Sequence, residues 1–259
     1  MAVTSAGRAA TTAHRLAQGR VSARVVADVL GLWRSLDPLR LVDPAWMGQV
    51  LTALARHRET SAELAASYYR DFRRAEVPAA AAFTPSAGLA GTSSPWRGRA
   101  VTSLRVTGTR LVARLILGGW DPARALDKAG PGVAAASSRH VLDAGREYVQ
   151  TALRADPVAR GWLRVTGADP CSFCAMLASR GATGKPVLYR SERSATTSSK
   201  TGEEYHDGCH CQAEPVFGPV VLPEASQRFA ALWETSTEGL SGKAARNAFR
   251  RAYNAARRG

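Results

Sequence analysis

Between Val21 and Leu36 the apolar residues Val21, Val25, Val29, Leu32, Trp33 and Leu36 recur at spacings of three and four. That period gathers them on one face and predicts an α-helix, which Asp37-Pro38 stops. Asp43-Pro44 is a start signal, a capping carboxylate followed by proline at the first helical position. From there Trp46, Met47, Val50, Leu54, His57, Ser61, Leu64, Tyr68 and Phe72 trace one stripe toward Val77-Pro78. A helix this long, roughly 30 residues, needs a partner helix to cover its stripe. His57 stands alone between Arg56 and Arg58. With no second ligand at helical spacing, it reads as a packing or surface residue. Tyr68, Tyr69 and Phe72 likewise read as core and flank, not as a platform for stacking bases.

The pattern then weakens. From Pro78 to Gly98 the chain is mostly Ala, Gly, Ser, Thr and Pro, the composition of a linker or extended arm. Leu104 and Val106 alternate with polar neighbours and predict a short strand, with a helix through Leu111, Leu115 and Ile116 ended by Gly118-Gly119. Asp121-Pro122 opens a short helix, and Val133 to Leu153 a clearer one carrying Val141, Leu142, Tyr148 and Val149. Trp162, Leu163 and Val165 predict a strand, and Ser191 to Gly202 a polar surface loop. A helix is expected near Pro223-Glu224, with Phe229, Leu232 and Trp233 on it. The last stretch, Ser241 to Gly259, repeats Ala245, Phe249 and Tyr253 every four positions. It carries Lys243, Arg246, Arg250, Arg251, Arg257 and Arg258 without an acidic residue, so it reads as a basic amphipathic helix. The alternatives for it are a nucleic-acid or acidic-partner contact and a plain solvated face.

Composition sharpens this picture. Hydrophobic content of 45% and charged content of 22% belong to a globular chain. The 35 Lys+Arg against 21 Asp+Glu give a formal charge of +14, which favours polyanionic partners. No apolar run approaches the ~18 residues a membrane-spanning helix needs. Met1 to Arg20, small residues interleaved with Arg8, His14, Arg15 and Arg20, has no signal-peptide core. The protein is therefore expected to be cytosolic when made, where clustered thiols point to metal ahead of disulfides.

All 4 cysteines lie between Asp169 and Phe217. Cys171-Ser172-Phe173-Cys174 forms a knuckle whose two sulfurs reach one ion, and His206-Asp207-Gly208-Cys209-His210-Cys211 closes the set. Gly208 permits the turn that a His206/Cys209 knuckle needs. Cys209 and Cys211, if extended, point to one face. The candidate metal ligands are Cys171, Cys174 and His206 with Cys209 or Cys211 fourth; the competing reading is a set of buried or redox-active thiols. Pro170-Cys171-Ser172-Phe173-Cys174 matches half of the zinc-deaminase signature, but His140-Val141-Leu142 lacks the glutamate of the other half. A metal nuclease using His206 and His210 would need a positioned acidic or amide partner; Glu203, Glu204 and Asp207 read as a solvated charge run. The expectation is a closed structural zinc site and no enzyme activity.

The Cys-x-x-Cys knuckle, variable loop and His-x-x-Cys-x-Cys closing segment resemble the C-terminal domain of the MuF-like minor head, or head-morphogenesis, proteins of tailed bacteriophages. The wording from Asp169 to Gly181 and from Tyr205 to Cys211 is similar to versions from phages of actinobacteria. The motif covers roughly Trp162 to Phe217; the N-terminal helices and Gly239 to Arg251 resemble the group more weakly. The resemblance implies a structural virion protein inside the capsid near the portal, with portal and capsid proteins and double-stranded DNA as partners. No membrane or small-molecule substrate is implied, and no fused protease or toxin domain is expected.

The fold class expected is α+β: a mainly helical N-terminal region, a small zinc-stabilised α+β domain and a C-terminal helix. In residues this means a helical region at 1–77, a linker at 78–98, a mostly helical region at 99–160, the Cys/His domain at 161–222 and a basic helical tail at 223–259.

Overall fold

A computed structural model describes residues 2–83, 85, 95–179, 187–189 and 205–258. The expected surface loop at 191–202, and residues 84 and 86–94 of the linker, lie outside the described residues. Three long helices make the body: α1 (Ser5–Arg34), α2 (Pro44–Glu76) and α5 (Pro122–Ala155), which pack on one another pairwise. Two shorter helices, α3 (Trp96–Leu104) and α4 (Arg110–Leu117), lie against α5. A two-stranded antiparallel sheet, β1 (Gly161–Val165) and β2 (Gln212–Val216), follows, with Leu163 opposite Glu214. Helices α6 (Ser172–Ala178), α7 (Glu224–Ser236) and α8 (Gly242–Ala256) complete the described chain. The mainly helical α+β class is as expected.

Helix α2 forms as its sequence predicts: Asp43 accepts the N–H groups of Ala45 (2.8 Å) and Trp46 (3.2 Å), and Pro44 opens the first turn. Helix α1 starts earlier than its apolar period, at Ser5, because its first turns bury polar groups. His14 stacks flat on Tyr68, 4.3 Å between ring centres. Gln18 exchanges hydrogen bonds with Ser61, Nε2 donating to its carbonyl at 2.9 Å and the hydroxyl donating back at 2.8 Å. Glu76 at the end of α2 accepts from the Val3 and Thr4 amides, at 2.8 and 3.0 Å, fixing the entry of α1.

Three expectations are corrected. No strand forms at Leu104 and Val106: α3 and α4 are halves of one continuous helix joined by a π turn at Arg105–Thr109. Leu104 faces the core while Val106 is exposed, and the extra residue mimics a two-residue alternation. The helix also begins at Trp96, inside the stretch read as linker; Trp96 is buried. Nor does α5 break at Gly130-Pro131-Gly132; it runs through as a single 34-residue helix. A proline inside a helix costs roughly 3 kcal/mol, and here tertiary contact outweighs it. Trp33 donates from Nε1 to the Leu126 carbonyl at 3.0 Å. Gly132 lets the Thr107 carbonyl approach to 3.2 Å from where a Cβ would stand.

Two cores result. One unites Val25, Val29, Trp33, Trp46, Leu54, Leu104, Val112 and Val133 across the helices. The other joins Tyr69, Phe72 and Val149 to Trp162, Tyr189, Tyr205, Cys174, Cys209 and Cys211, so the cysteines are continuous with the helical core. A buried ion pair pins this join: Arg73 Nε meets Asp156 at 2.6 Å, and the Tyr69 hydroxyl donates to the same carboxylate at 2.9 Å.

Gly145 marks the closest approach of α1, α2 and α5. A Cβ there would lie 2.8 Å from Gln18 Nε2 and 3.0 Å from the Ser61 carbonyl oxygen. Gly145→Ala gains up to about 1 kcal/mol of helix propensity, but a backbone atom cannot yield as a side-chain tip does. The expected net effect is destabilisation by about 1–3 kcal/mol, read as a lowered urea midpoint at unchanged slope.

Burial also predicts acid sensitivity. Desolvation holds His14 down to about 4, against a hydrogen bond to Leu64, and holds His140 down to about 3, helped by Arg139, Arg58 and Arg99. Unfolded histidine takes up its proton near 6.5, so between that pH and about 3 the unfolded chain binds more protons. Stability is therefore lost as pH falls through this window, by on the order of a few kcal/mol per histidine. Glu147 and Glu214, raised mainly by burial, pull the other way just above their usual range. The His14→Phe variant keeps the stack on Tyr68 and is expected to flatten the acid limb of a denaturation series.

Candidate metal centre

Cys171 caps α6: it lies in extended conformation, and its Sγ accepts the Cys174 amide at 3.4 Å. This N–H···S bond turns both sulfurs of the knuckle toward one point. The second half arrives through a tight turn in which the Cys209 amide donates to the His206 carbonyl at 3.0 Å. Gly208 takes φ +72° there, the left-handed conformation expected of it. His206 Nε2 then lies 3.2 Å from both Cys171 Sγ and Cys174 Sγ, and Cys174 Sγ lies 3.5 Å from Cys209 Sγ.

Two ligand groups emerge, each with donor atoms within 4.8 Å of one another: Cys171, Cys174 and His206, and Cys174, Cys209 and Cys211. Cys174 belongs to both. Tetrahedral thiolate and imidazole ligands around zinc stand about 3.5–3.8 Å apart, and the contacts of His206 with Cys171 and Cys174 and of Cys174 with Cys209 each come within a few tenths of an ångström of that spacing. His210 is not brought to the cluster. Its Nε2 stands 3.5 Å from Ser22 on α1, and the residue is exposed.

The surroundings favour anionic sulfur at Cys171 and Cys209, whereas hydrogen bonds with Cys171 and Cys209 push the Cys174 thiol up, and Cys211, against its bond with Cys174, is raised to about 12 by Cys209 and burial. His206 Nδ1 contacts the Asp207 carbonyl at 2.7 Å, which places the proton on Nδ1 and leaves Nε2 as the donor toward metal. The Cys171 thiol is drawn down to about 4, first by its hydrogen bond with Cys174 and then by His206, and contact with Cys171 raises His206 to about 9. Cys209 is held low by Cys174, with Arg146 and Arg164 adding positive charge.

Those arginines escaped the sequence reading. Arg146 donates to the carbonyls of Cys209 (Nη2, 2.6 Å) and Cys211 (Nε, 3.0 Å). Its guanidinium lies 3.8 Å over the Tyr205 ring, with that of Arg164 4.2 Å from the same ring. Arg139 reaches Asp207, beside His206, at 2.6 Å and the Ser103 hydroxyl at 2.8 Å, linking α3 and α5 to the turn. A signal was present: Leu142, Arg146, Val149 and Leu153 share one helical stripe, and a charge on an apolar stripe needs a buried partner. Asp207, read as part of a solvated run, is the partner of Arg139.

The basic helix folds as expected, with Ala245, Phe249 and Tyr253 buried and Lys243, Arg246, Arg250, Arg251 and Arg258 exposed. Phe249 and Tyr253 pack against α6 and α7. Arg257 differs from the rest: it pairs with Asp169 at 2.5 Å while the Tyr253 hydroxyl donates to the Pro170 carbonyl at 2.5 Å. It latches the helix to the chain entering the knuckle, and so stands apart from the free basic face.

Fold and site together define a mainly helical α+β protein whose distant chain segments meet at a cysteine–histidine cluster able to hold a metal ion. The chain belongs to the VG15 protein family, whose profile matches residues 5–236. It is 32% identical over 154 residues to the "Gene 15 protein" of Mycobacterium phage D29. That match covers 48% of this chain and 56% of the relative, so the chain spans little more than half of that protein's length. These similarities make it a phage-related protein. No solved structure matches it. No helix among the described residues is long and apolar enough to cross a membrane.

Proposed function

We propose that the chain is a minor structural protein of a tailed-phage head, of the MuF-like kind, clasped by one zinc ion. The observation that carries this is the meeting of Cys171, Cys174 and His206 in one donor group whose Cys174 also lies 3.5 Å from Cys209, between segments 35 residues apart. Four protein donors close a tetrahedral shell and leave no position for a substrate or activated water. With the deaminase glutamate also missing, the proposed role involves no turnover. Zinc, when bound, supplies a crosslink; the chain's own residues do the rest. Arg146 holds the closing segment, Arg139 orients its turn, and α8 latches the knuckle. The phage relative and the matching family support placing this clasp in a virion component. On this reading the protein is made in the host cytoplasm and carried in the capsid interior near the portal. There it touches portal and capsid proteins and, through its positive charge, double-stranded DNA without sequence preference.

Two measurements test this. Mass spectrometry of purified heads should find the protein in few copies; its absence from heads would overturn the assignment. Metal analysis should give one zinc per chain, lost in Cys209→Ser and retained in Cys211→Ser. Zinc well below one per chain would remove the clasp, and the reverse pattern would make Cys211 the fourth ligand.

A further inference from the structure

The helix formed by α3, the π turn and α4 carries Arg97, Arg99, Arg105, Arg110 and Arg114, and no acidic residue from Trp96 to Trp120. Arg99 is committed to Glu147 at 3.2 Å, and Arg97 lies over the Trp96 ring. Arg105, Arg110 and Arg114 are exposed, and none has an acidic partner among the described residues.

The π turn sets the direction of these three side chains. An unbroken α-helix turns about 100° per residue, which would leave Arg105 and Arg110 roughly 140° apart. Arg110 instead donates its amide to the Arg105 carbonyl, five residues back, so one residue is absorbed without advancing the face. Arg110 then follows Arg105 by roughly 40°, and Arg114 follows by roughly 40° more. The three fall on one exposed arc, at axial steps of about 6–7 Å. In the unbroken helix Arg114 would turn toward the face that Leu104 and Val112 bury. The extra residue is held in place because Gly108, in the middle of the turn, admits Val133 and Trp33 where a Cβ would stand 2.7 and 3.1 Å from them.

We propose that this arginine ridge binds the phosphate backbone of double-stranded nucleic acid. Successive phosphates of one strand rise about 3.4 Å along the axis and turn about 36° around it, which sets them roughly 7 Å apart in space, so the ridge step of about 6–7 Å matches one phosphate per arginine. Guanidinium forks suit phosphate oxygens in two-point contact. The ridge is separate from the basic face of α8, and its identification of the polyanion as DNA rests on the reading of the chain as a head protein.

The test uses the full chain and a short mixed-sequence DNA duplex, with affinity followed across a salt titration. The triple variant Arg105→Ala, Arg110→Ala, Arg114→Ala should bind with a log K against log salt slope shallower by about 2–3. Its circular dichroism and melting temperature should match the parent. The control Arg8→Ala, Arg20→Ala, Arg24→Ala removes the same charge from exposed positions on α1 and should change the slope by less than about 1. An unchanged slope in the ridge variant, an equal loss in the control, or no binding by the parent overturns the ridge. None of these results bears on whether the protein is found in heads or binds zinc, so that reading fails separately.

Discussion

Cys174→Ser is expected to release the metal and to unfold the sheet and the segment around it. Cys174 is the sulfur common to both ligand groups, 3.2 Å from His206 and 3.5 Å from Cys209, so no rearrangement of the remaining donors replaces it. Structural zinc contributes on the order of 10–16 kcal/mol of apparent binding free energy in small zinc domains, more than the whole stability of a typical domain. The sheet has two short strands, and its core of Leu163, Leu188 and Val216 is small. The expected result is zinc near zero by elemental analysis, loss of the Trp162 near-ultraviolet signal and retention of most far-ultraviolet helicity. A chelator acting on the parent should reproduce it. If Cys174→Ser keeps its zinc, Cys174 is not the sulfur on which the site depends; if the chelator leaves the parent's melting unchanged, the cluster is a packed set of thiols.

Arg146→Ala is the second change with a large consequence. The side chain is almost fully buried at 1% exposure, pairs with Asp143 at 2.9 Å and holds two carbonyls of the closing segment. Removing it strands a half-buried carboxylate and two carbonyl acceptors, a loss of about 2–5 kcal/mol. The metal should also bind about 10–100-fold more weakly, as when an outer partner of a ligand is removed. Lysine should not rescue either measure, because a single ammonium cannot reach both carbonyls while lying flat on Tyr205. Chemical denaturation and competition with a chelating dye measure the two effects; an Arg146→Lys protein equal to the parent would show that charge alone suffices.

The helices that pack through aliphatic stripes were legible because their apolar period matches the helical turn. Val25, Val29 and Trp33 on α1, and Val50, Leu54 and Phe72 on α2, face the core as their spacing requires. The first turns of α1 were not, since Gln18 and His14 are buried by pairing with Ser61 and Tyr68, and a polar residue gives no hint that its partner lies on another helix. The ligands were legible for a different reason: thiol and imidazole at knuckle spacing carry their chemistry in their identity. Which of them share an ion was a matter of position, and it took Gly208's turn to direct His206 to the knuckle and His210 to Ser22.

Residue type and spacing alone thus determined the α+β class, the capped start of α2, the amphipathic last helix and the cysteine–histidine set. Tertiary contact decided the rest. It carried α5 through Pro131, because Trp33 and Thr107 press on the flanking glycines. It inserted the π turn that lines up Arg105, Arg110 and Arg114, and it drew Arg146 into the core beneath the cluster. In each case the local preference was worth a few kcal/mol at most, and contacts between residues far apart in the chain outweighed it.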